Sequence, residues 1–170
     1  MTEAGAMSQG SWEQLGRQAS HPRETGPGAE APRQLLTFSV GETPYAVPVE
    51  SVREIVRIRP ITPIPRVTRD IRGVISLRGE IIQVVDLRVR LRLPETHSTR
   101  ASRIIVVHLD DGRLAGILVD AVREVLRVSG DAIGPSSGGE GGIVHSLCAR
   151  GEEFVSLVDL DKVLEVDDGD

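Results

Sequence analysis

The sequence is poor in aromatic residues and almost free of cysteine. Aromatic side chains make up 2% of its 170 residues, so a core must be built from Val, Ile and Leu. Because β-branched residues favour strands, such a core predicts a mostly β structure. The single cysteine, Cys148, excludes an intrachain disulfide and fits a cytoplasmic location.

Long hydrophobic runs and targeting signals are also missing. No apolar stretch approaches the length of about 20 residues that a membrane-spanning helix needs. The N-terminus lacks the apolar segment after basic residues that marks a signal peptide. We therefore expect a cytoplasmic protein that does not insert into a membrane.

Recognisable catalytic and metal-binding patterns are absent from the sequence. There is no nucleophile elbow and no phosphate-binding loop with its lysine. No histidine lies at metal-ligand spacing from another histidine or from Cys148; the four are His21, His97, His108 and His145. These absences predict a protein that is not an enzyme and has no cofactor or metal. An enzyme acting on a small anionic ligand in the basic half is the alternative.

Charge is distributed unevenly, although the net charge is only −5. Residues 53–92 contain ten arginines and four acids, whereas residues 110–170 contain fourteen acids and five bases. This polarity either orients docking between two partners or reflects two ordinary solvated surfaces. The basic segment contains no aromatic residue on which bases could stack, so we expect no nucleic-acid binding.

Composition divides the chain into a tail, a folded domain and an acidic tip. Residues 1–33 are rich in Gly, Ala, Pro, Ser, Glu and Gln, which predicts a disordered tail. Within it, Trp12 and Leu15 either form one turn of a docking helix or belong to an unstructured leader. The folded domain is expected over residues 34–166 and the acidic tip over residues 167–170.

Alternating apolar runs and turn residues predict a series of hairpins. Strands are expected in residues 35–40, 45–49, 73–77, 81–85, 104–109, 114–119, 143–147 and 154–158. Hydrophobic spacing and a capping aspartate predict short helices in residues 49–56, 87–93, 121–125 and 160–166. Three prolines make residues 58–65 an extended segment, and glycines make residues 134–142 a flexible loop.

The most informative feature is an internal repeat. Val52-Arg-Glu-Ile-Val-Arg-Ile58 matches Val122-Arg-Glu-Val-Leu-Arg-Val128 at an offset of about 70 residues. Arg78-Gly-Glu80 and Val85-Asp-Leu87 recur in the same order at nearly the same offset. This period is too long for a solenoid. It predicts two copies of a small β unit. Each copy is expected to form a five-stranded SH3-like β-barrel, and the two barrels of similar topology are expected to share a groove.

Four motifs carry a resemblance to a known family. They are Val52-Arg-Glu-Ile55, Gly73-Val-Ile-Ser-Leu-Arg-Gly79, Val85-Asp-Leu-Arg88 and Gly116-Ile-Leu-Val-Asp-Ala-Val122. In this order they closely resemble the CheW family of chemotaxis adaptors. The similarity runs from about Leu35 to Val166, nearly the whole folded part, and the paired β-barrels of that family agree with the repeat.

The resemblance implies a non-enzymatic adaptor that couples chemoreceptors to a histidine kinase. Its expected partners are the regulatory domain of a CheA-type histidine kinase, the cytoplasmic tip of methyl-accepting chemoreceptors and other CheW-like domains. Such adaptors join signalling arrays at the inner face of the membrane. An alternative is a CheW-like adaptor of a non-flagellar chemosensory pathway, one that controls pilus motility or gene regulation.

The same resemblance implies five partner-binding residues. Val52, Glu54 and Arg78 match family positions implicated in partner binding, and Ile104 and Ile105 match strand positions of the receptor-facing groove. Glu54 and Arg78 carry opposite charges, and we expect them to form an ion pair beside an apolar groove. Alternatively, Glu54 is a solvated helix residue and Arg78 an ordinary turn residue.

Overall fold

Runs of Val, Ile and Leu bounded by Gly, Pro and Asp turns produce a protein of short strands. The structure is a computed structural model that describes residues 31–136 and 142–165. Its strands are β1 (Arg33–Val40), β2 (Thr43–Pro48), β3 (Val52–Arg57), β4 (Ile71–Leu77), β5 (Glu80–Asp86), β6 (Arg103–His108), β7 (Leu114–Val119), β8 (Ala121–Val128), β9 (Ile133–Pro135), β10 (Val144–Arg150) and β11 (Glu153–Val158). Its helices are α1 (Leu87–Arg90) and α2 (Leu160–Val163).

The strands form two sheets of closely similar topology. The first sheet, in the order β8-β1-β2-β11-β10-β9, defines lobe one. The second sheet, in the order β3-β6-β7-β5-β4, defines lobe two. Each lobe contains one parallel pair, β11 with β2 and β5 with β7, among antiparallel neighbours. The predicted mostly β fold with two SH3-like barrel units is confirmed.

The two sequence repeats exchange strands between the lobes. The first repeat supplies β1 and β2 to lobe one and β3 to β5 to lobe two, and the second repeat supplies β6 and β7 to lobe two and β8 to β11 to lobe one. When β1 to β5 are matched to β6, β7, β8, β10 and β11, the two strand orders become the same. The expectation that each repeat folds into its own barrel is therefore wrong.

Two predicted helices are strands. Residues 49–56 form a single 3₁₀ turn, Val49–Ser51, followed by β3, and residues 121–125 lie in β8. The spacing of Val49, Val52 and Val56 suits a helix face, but Val52 and Val56 also alternate as a strand requires. Pairing with β6 and β1 decides the outcome, because both segments are rich in β-branched residues.

Contacts between the sheet edges close each lobe. In lobe two, Thr62 and Val74 exchange two backbone hydrogen bonds of 2.9 Å, and Arg59 donates to the carbonyl of Ser76 at 3.1 Å. These contacts join the segment after β3 to β4 across the open ends of the sheet. In lobe one, β9 follows β8 and pairs with β10 in the equivalent place. The extended proline segment 58–65 is confirmed, with only the isolated bridge at Thr62.

The core consists of three apolar clusters. One lies inside lobe two and includes Ile75, Ile82 and Ile104, and another lies inside lobe one around Leu35 and Leu157. The third packs between the two sheets. Its buried members are Leu36, Phe38, Val40, Tyr45, Val47, Val85, Leu87, Ile105, Val107, Ala115, Ile117, Val119, Val158 and Val163. Since both repeats contribute to this cluster, the lobes share one continuous interior.

Equivalent aspartates begin the two helices. Asp86 accepts a hydrogen bond from the backbone of Arg88 at 3.0 Å, which confirms the predicted cap of α1. Asp159 accepts from the backbone of Lys162 at 3.3 Å in the same way. Both helices are shorter than predicted. Neither has the length or apolar character needed to cross a membrane, within the residues that the structure describes.

Several predicted segments fall at the limits of the described residues. Most of the predicted tail, with Trp12 and Leu15, lies outside them, and its last residue, Arg33, already belongs to β1. The acidic tip, 167–170, and residues 137–141 of the predicted loop also lie outside. Gly134 and Pro135 belong to β9, so this part of the loop prediction is wrong.

Candidate partner-binding site

An ion pair lies where the sequence predicts it. The guanidinium of Arg78 donates to both carboxylate oxygens of Glu54, at 3.2 Å from Nε and 3.5 Å from Nη2. The Glu54 side chain is 23% exposed and that of Arg78 is 72% exposed. The pair links β3 to the turn between β4 and β5. A partly covered carboxylate with an accessible guanidinium is suited to recognising a partner's polar groups.

A second ion pair lies beside the first. Arg53 Nη1 is 2.9 Å from Glu80 Oε2, which again joins β3 to the β4–β5 hairpin. Arg53 is the extra residue of a β-bulge, because Val52 pairs with Val107 while Glu54 pairs with Val106. Bulges re-aim side chains and are common next to functional sites. The bulge therefore helps to direct Arg53 and Glu54 to their partners.

The turn that carries Arg78 has an unusual backbone. Leu77 pairs with Glu80, so Arg78 and Gly79 form a two-residue hairpin loop. Both residues have positive φ, 52° at Arg78 and 81° at Gly79, as a type I′ turn requires. Asn or Gly usually occupies the first of these positions. An arginine there costs conformational energy, which makes a functional role for its side chain a reasonable hypothesis.

The other predicted site residues have different environments. Val52 is partly buried and packs against the cluster between the sheets. Ile104 and Ile105 are 0% exposed in β6, where Ile104 packs inside lobe two and Ile105 packs between the lobes. Neither isoleucine can contact a partner's surface in this structure. Because β6 is covered on both faces, their role in partner binding stays a prediction and would have to be indirect.

Lobe one carries a copy of the ion pair that the sequence analysis missed. Arg150 Nη1 donates to Glu124 Oε1, and both side chains are about half exposed. Glu124 follows Glu54 by the repeat offset, and Arg150 belongs to the second Arg-Gly-Glu motif. The signal was therefore present in the repeat. β8 also carries a bulge opposite Thr37, whose hydroxyl bonds to the Glu124 backbone.

Exposed apolar side chains accompany each ion pair. In lobe two, Ile55 is 40% exposed and Ile81 is 71% exposed. In lobe one, the equivalent positions are Val125 at 53% and Phe154 at 62%. Ile55 and Val125 directly follow the glutamate of their lobe's ion pair, and Ile81 and Phe154 come three and four residues after its arginine. Each lobe thus carries two exposed apolar side chains on the strands that also hold its ion pair.

Many arginines of the basic segment are already paired. Arg69 contacts Glu95, Arg72 contacts Asp86, and Arg88 contacts Asp120. Arg90 lies 3.7 Å from Asp70. Internal carboxylates therefore neutralise much of the charge that the sequence concentrates in residues 53–92. This pairing weakens the alternative of an anion-acting active site in that half.

Two potentially nucleophilic side chains, those of Cys148 and Tyr45, lie in the core. Burial raises the pKa of the Cys148 thiol, which disfavours the reactive thiolate. Burial likewise raises the pKa of Tyr45, whose ring stacks on Phe38 with a centroid separation of 6.2 Å. Both side chains therefore contribute packing.

A family model and two known relatives each match most of this chain. The family model of the CheW-like domain matches residues 34–168. The chemotaxis protein CheW of Rhizobium meliloti is 35% identical over 135 residues, which cover 77% of this chain and 86% of that protein. Protein FrzA of Myxococcus xanthus is 30% identical over 142 residues, covering 81% of this chain and 88% of the relative.

A solved structure shows the same architecture. It is the scaffolding protein TtCheW from Thermoanaerobacter tengcongensis, with 32% sequence identity and a TM-score of 0.75. The match covers 80% of this chain and 94% of that chain. This chain and that scaffolding protein thus share the pairing of two small β lobes.

Proposed function

The chain belongs to the CheW-like family, and from that premise we propose that it is a chemotaxis adaptor that couples chemoreceptors to a CheA-type histidine kinase. One surface binds the regulatory domain of the kinase, and another binds the cytoplasmic tip of a receptor. The adaptor thereby holds both proteins at high effective concentration, in signalling arrays at the inner membrane face. No bond is made or broken on the adaptor itself.

The observation that carries this proposal is the Glu54–Arg78 ion pair at the motif positions of lobe two. Its guanidinium is exposed, and arginine is among the residue types that contribute most of the energy at protein interfaces. We propose Val52, Glu54 and Arg78 as partner-binding residues. Ile104 and Ile105 act only indirectly, because their buried side chains anchor β6, the strand that pairs with β3.

The duplicated surface of lobe one supports a role as a linker between proteins. A scaffold needs at least two docking surfaces, and the Glu124–Arg150 pair provides lobe one with an exposed ion pair similar to that of lobe two. Other CheW-like domains are therefore further candidate partners. The two surfaces lie on different sheets, so two partners need not compete for the same residues.

A kinase assay tests the proposal. Autophosphorylation of the cognate kinase is measured with receptors present, after addition of the wild-type chain or of Arg78→Glu. We expect the variant to lose most of the stimulation, because it places a third carboxylate beside Glu54 and Glu80. Arg113→Glu is the matched control, since Arg113 also forms an exposed ion pair, with Asp111, at a different turn of lobe two.

A charge exchange sharpens the assay. The double variant Glu54→Arg/Arg78→Glu restores an ion pair with reversed polarity. Recovery of the ion pair without recovery of stimulation is the expected result, because a partner that recognises the guanidinium would still be mismatched. Full stimulation by Arg78→Glu alone would count against the assigned site.

A second candidate function is that of an adaptor in a non-flagellar chemosensory pathway, for pilus motility or gene regulation. The similarity to protein FrzA supports this second candidate, because FrzA is a relative of similar identity with a name other than CheW. Binding assays with the purified kinases of each pathway in the same organism would distinguish the two candidates.

A further inference from the structure

A positively charged groove lies between the lobes, on the side of the two helices. It has a volume of about 650 Å³ and is called here the helix-side groove. On the side of lobe two it is lined by residues 69–70 and 89–92. On the side of lobe one it is lined by residues 142–144, Lys162 and Glu165. Val89, Leu91, Ile143 and Val144 add apolar side chains to the lining.

The positive charge of this groove is only partly neutralised. Arg69 is paired with Glu95, and Arg90 donates to the backbone carbonyl of Lys162. Arg92 and Lys162 have no carboxylate within ion-pair distance among residues 31–136 and 142–165. The Nε atom of Arg90 is buried without a hydrogen-bond acceptor, its nearest carboxylate oxygen being 3.7 Å away. An anionic group in the groove would compensate these cations.

Arg92 is held in the groove by an unusual backbone. It follows α1 with a φ of 58°, in the left-handed region where glycine commonly ends a helix. An arginine at that position is strained, yet it directs a charged side chain to the rim of the groove. Such an outlier supports a functional use of the side chain.

The opposite side of Glu165 is strongly acidic. A second depression there is lined by Asp110, Asp111 and Asp161, and Glu165 lines both depressions. The pKa of Asp161 is raised, chiefly by a hydrogen bond with Asp110 and further by burial and by the charge of Asp110. The described chain therefore ends between a surface that attracts anions and a surface that repels them.

We propose that the acidic tip, 167–170, docks into the helix-side groove. The tip carries Asp167, Asp168 and Asp170 and follows Glu165 after one apolar residue, Val166. Five residues reach at most about 17 Å, which spans a groove that Glu165 already lines. Because the tip is tethered, its effective concentration is in the millimolar range, so weak ion pairs suffice. Repulsion by the acidic depression excludes the other direction.

Docking of the tip does not depend on the adaptor function. An acidic segment of a partner protein would have the same charge but would lack the tether. The tip thus acts as a built-in competitor, which an anionic partner segment must displace before it reaches Arg92 and Lys162.

Paramagnetic relaxation measured by NMR tests this contact in the full chain. A nitroxide is attached at Gly169→Cys in a Cys148→Ser background, so that only one thiol reacts. We expect broadening of the amide signals of residues 89–92 and 142–144, and none at residues 109–113. The broadening should be lost in about 1 M NaCl, where the Debye length is only about 3 Å.

Variants distinguish docking from mere proximity. Arg92→Gln/Lys162→Gln should abolish the broadening at residues 89–92, whereas Arg113→Gln, an exposed arginine beside the acidic depression, should leave it unchanged. Broadening that persists in the double variant, or that is equal at the two depressions, would overturn the proposal. So would an unbroadened groove that nevertheless binds an added acidic peptide, since the occupant would then be a partner.

Discussion

Arg78 shows how one residue can serve recognition at the expense of local conformation. Its left-handed backbone costs about 1 kcal/mol, while an exposed ion pair returns between about 0 and 1 kcal/mol. The side chain therefore adds little net stability. Its presence in the turn is better explained by what the guanidinium contacts outside the chain.

Replacement of Arg78 by asparagine separates these two effects. Asparagine tolerates the left-handed region, so Arg78→Asn should unfold in urea with a free energy equal to that of wild type or up to about 1 kcal/mol higher. Kinase stimulation should nevertheless fall. A variant that loses stability and stimulation in parallel would point to a structural role for Arg78 instead.

The two helix-capping aspartates provide a matched comparison. Asp86 is 3% exposed and also receives bonds of 2.8 Å and 2.7 Å from the guanidinium of Arg72. Asp86→Ala should therefore lower the free energy of unfolding by about 2–3 kcal/mol, since it removes a cap and leaves Arg72 without its partner. Asp159→Ala removes only a cap and should cost about 1 kcal/mol. Equal losses in urea titrations would contradict the special role of Asp86.

Asp161 makes stability depend on pH in a defined direction. Its raised pKa means that the folded chain holds this proton more tightly than the unfolded chain, whose ordinary value is 3.8. The contribution is fully present below pH 3.8 and is lost as the pH rises through the raised pKa. Asp161→Asn should thus be more stable than wild type at pH 7, by about 0.3 kcal/mol, and equal to it at pH 3.

Thermal unfolding across that pH range checks the sign. Asp111 contributes in the opposite direction, because hydrogen bonds from the backbone and side chain of Arg113 lower the pKa of Asp111. Glu42→Gln, an exposed acid in the turn between β1 and β2, serves as the control for simple removal of negative charge. A gain that grows toward low pH would refute the predicted repulsion.

Single residues were predicted unevenly from the sequence. The Glu54–Arg78 pair was predictable because both residues stand in repeated motifs that also carry the family resemblance. The complete burial of Ile104 and Ile105 was not predictable, since an apolar run has the same pattern whether one face or both faces of a strand are buried. Only the position of β6 between two cores resolves that ambiguity.

At the level of elements, lobe two closes where the backbone of Gly73 packs against that of Thr62. The φ of Gly73 is 140°, and an added Cβ would lie 2.1 Å from the carbonyl oxygen of Thr62. That oxygen accepts the bond from Val74 that closes the barrel. A side chain at this position would therefore separate the two edges of the sheet.

Gly73→Ala should destabilise the protein by about 3 kcal/mol, because backbone strain adds to a clash that only a backbone shift can relieve. Gly112→Ala is the control, since Gly112 also has positive φ, 85°, but no neighbour within 4 Å of the added Cβ. It should cost about 1 kcal/mol. Similar midpoints for the two variants in urea would show that the clash is relieved cheaply.

Hairpins were the elements that the sequence predicted best, because turn glycines and alternating apolar residues are local signals. The helix predictions for residues 49–56 and 121–125 failed because the few apolar residues of such short segments satisfy helical and strand periodicities at once. Their state is set by hydrogen bonds to strands about 50 residues or more away, β6 and β1, which no local pattern encodes.

At the level of the whole molecule, the strand exchange couples the two repeats. The sequence identified the repeats but not the sheet that each strand joins, because equivalent strands have equivalent patterns. The cluster between the sheets contains buried residues from both repeats, including Leu36, Val85 and Ile117. The lobes should therefore unfold together.

Cleavage in the exposed linker 94–101 tests this coupling. A protease site inserted there should give two pieces that co-elute in gel filtration, because β3 to β5 remain paired with β6 and β7. After separation in denaturant, neither piece alone should regain dispersed amide signals, while mixing should restore them. Two independently folded pieces would contradict the exchanged topology.

Although lobe two draws on both repeats, its five strands occupy one uninterrupted stretch, residues 52–119, set within lobe one. A gene segment encoding that stretch can consequently pass between relatives as a single cassette with two junctions, at Val49–Ser51 and at Asp120. A lone recombination breakpoint, by contrast, always produces a hybrid in at least one lobe. Chimaeras that exchange kinase or receptor preference should be built on the cassette boundaries and not on the boundary between repeats.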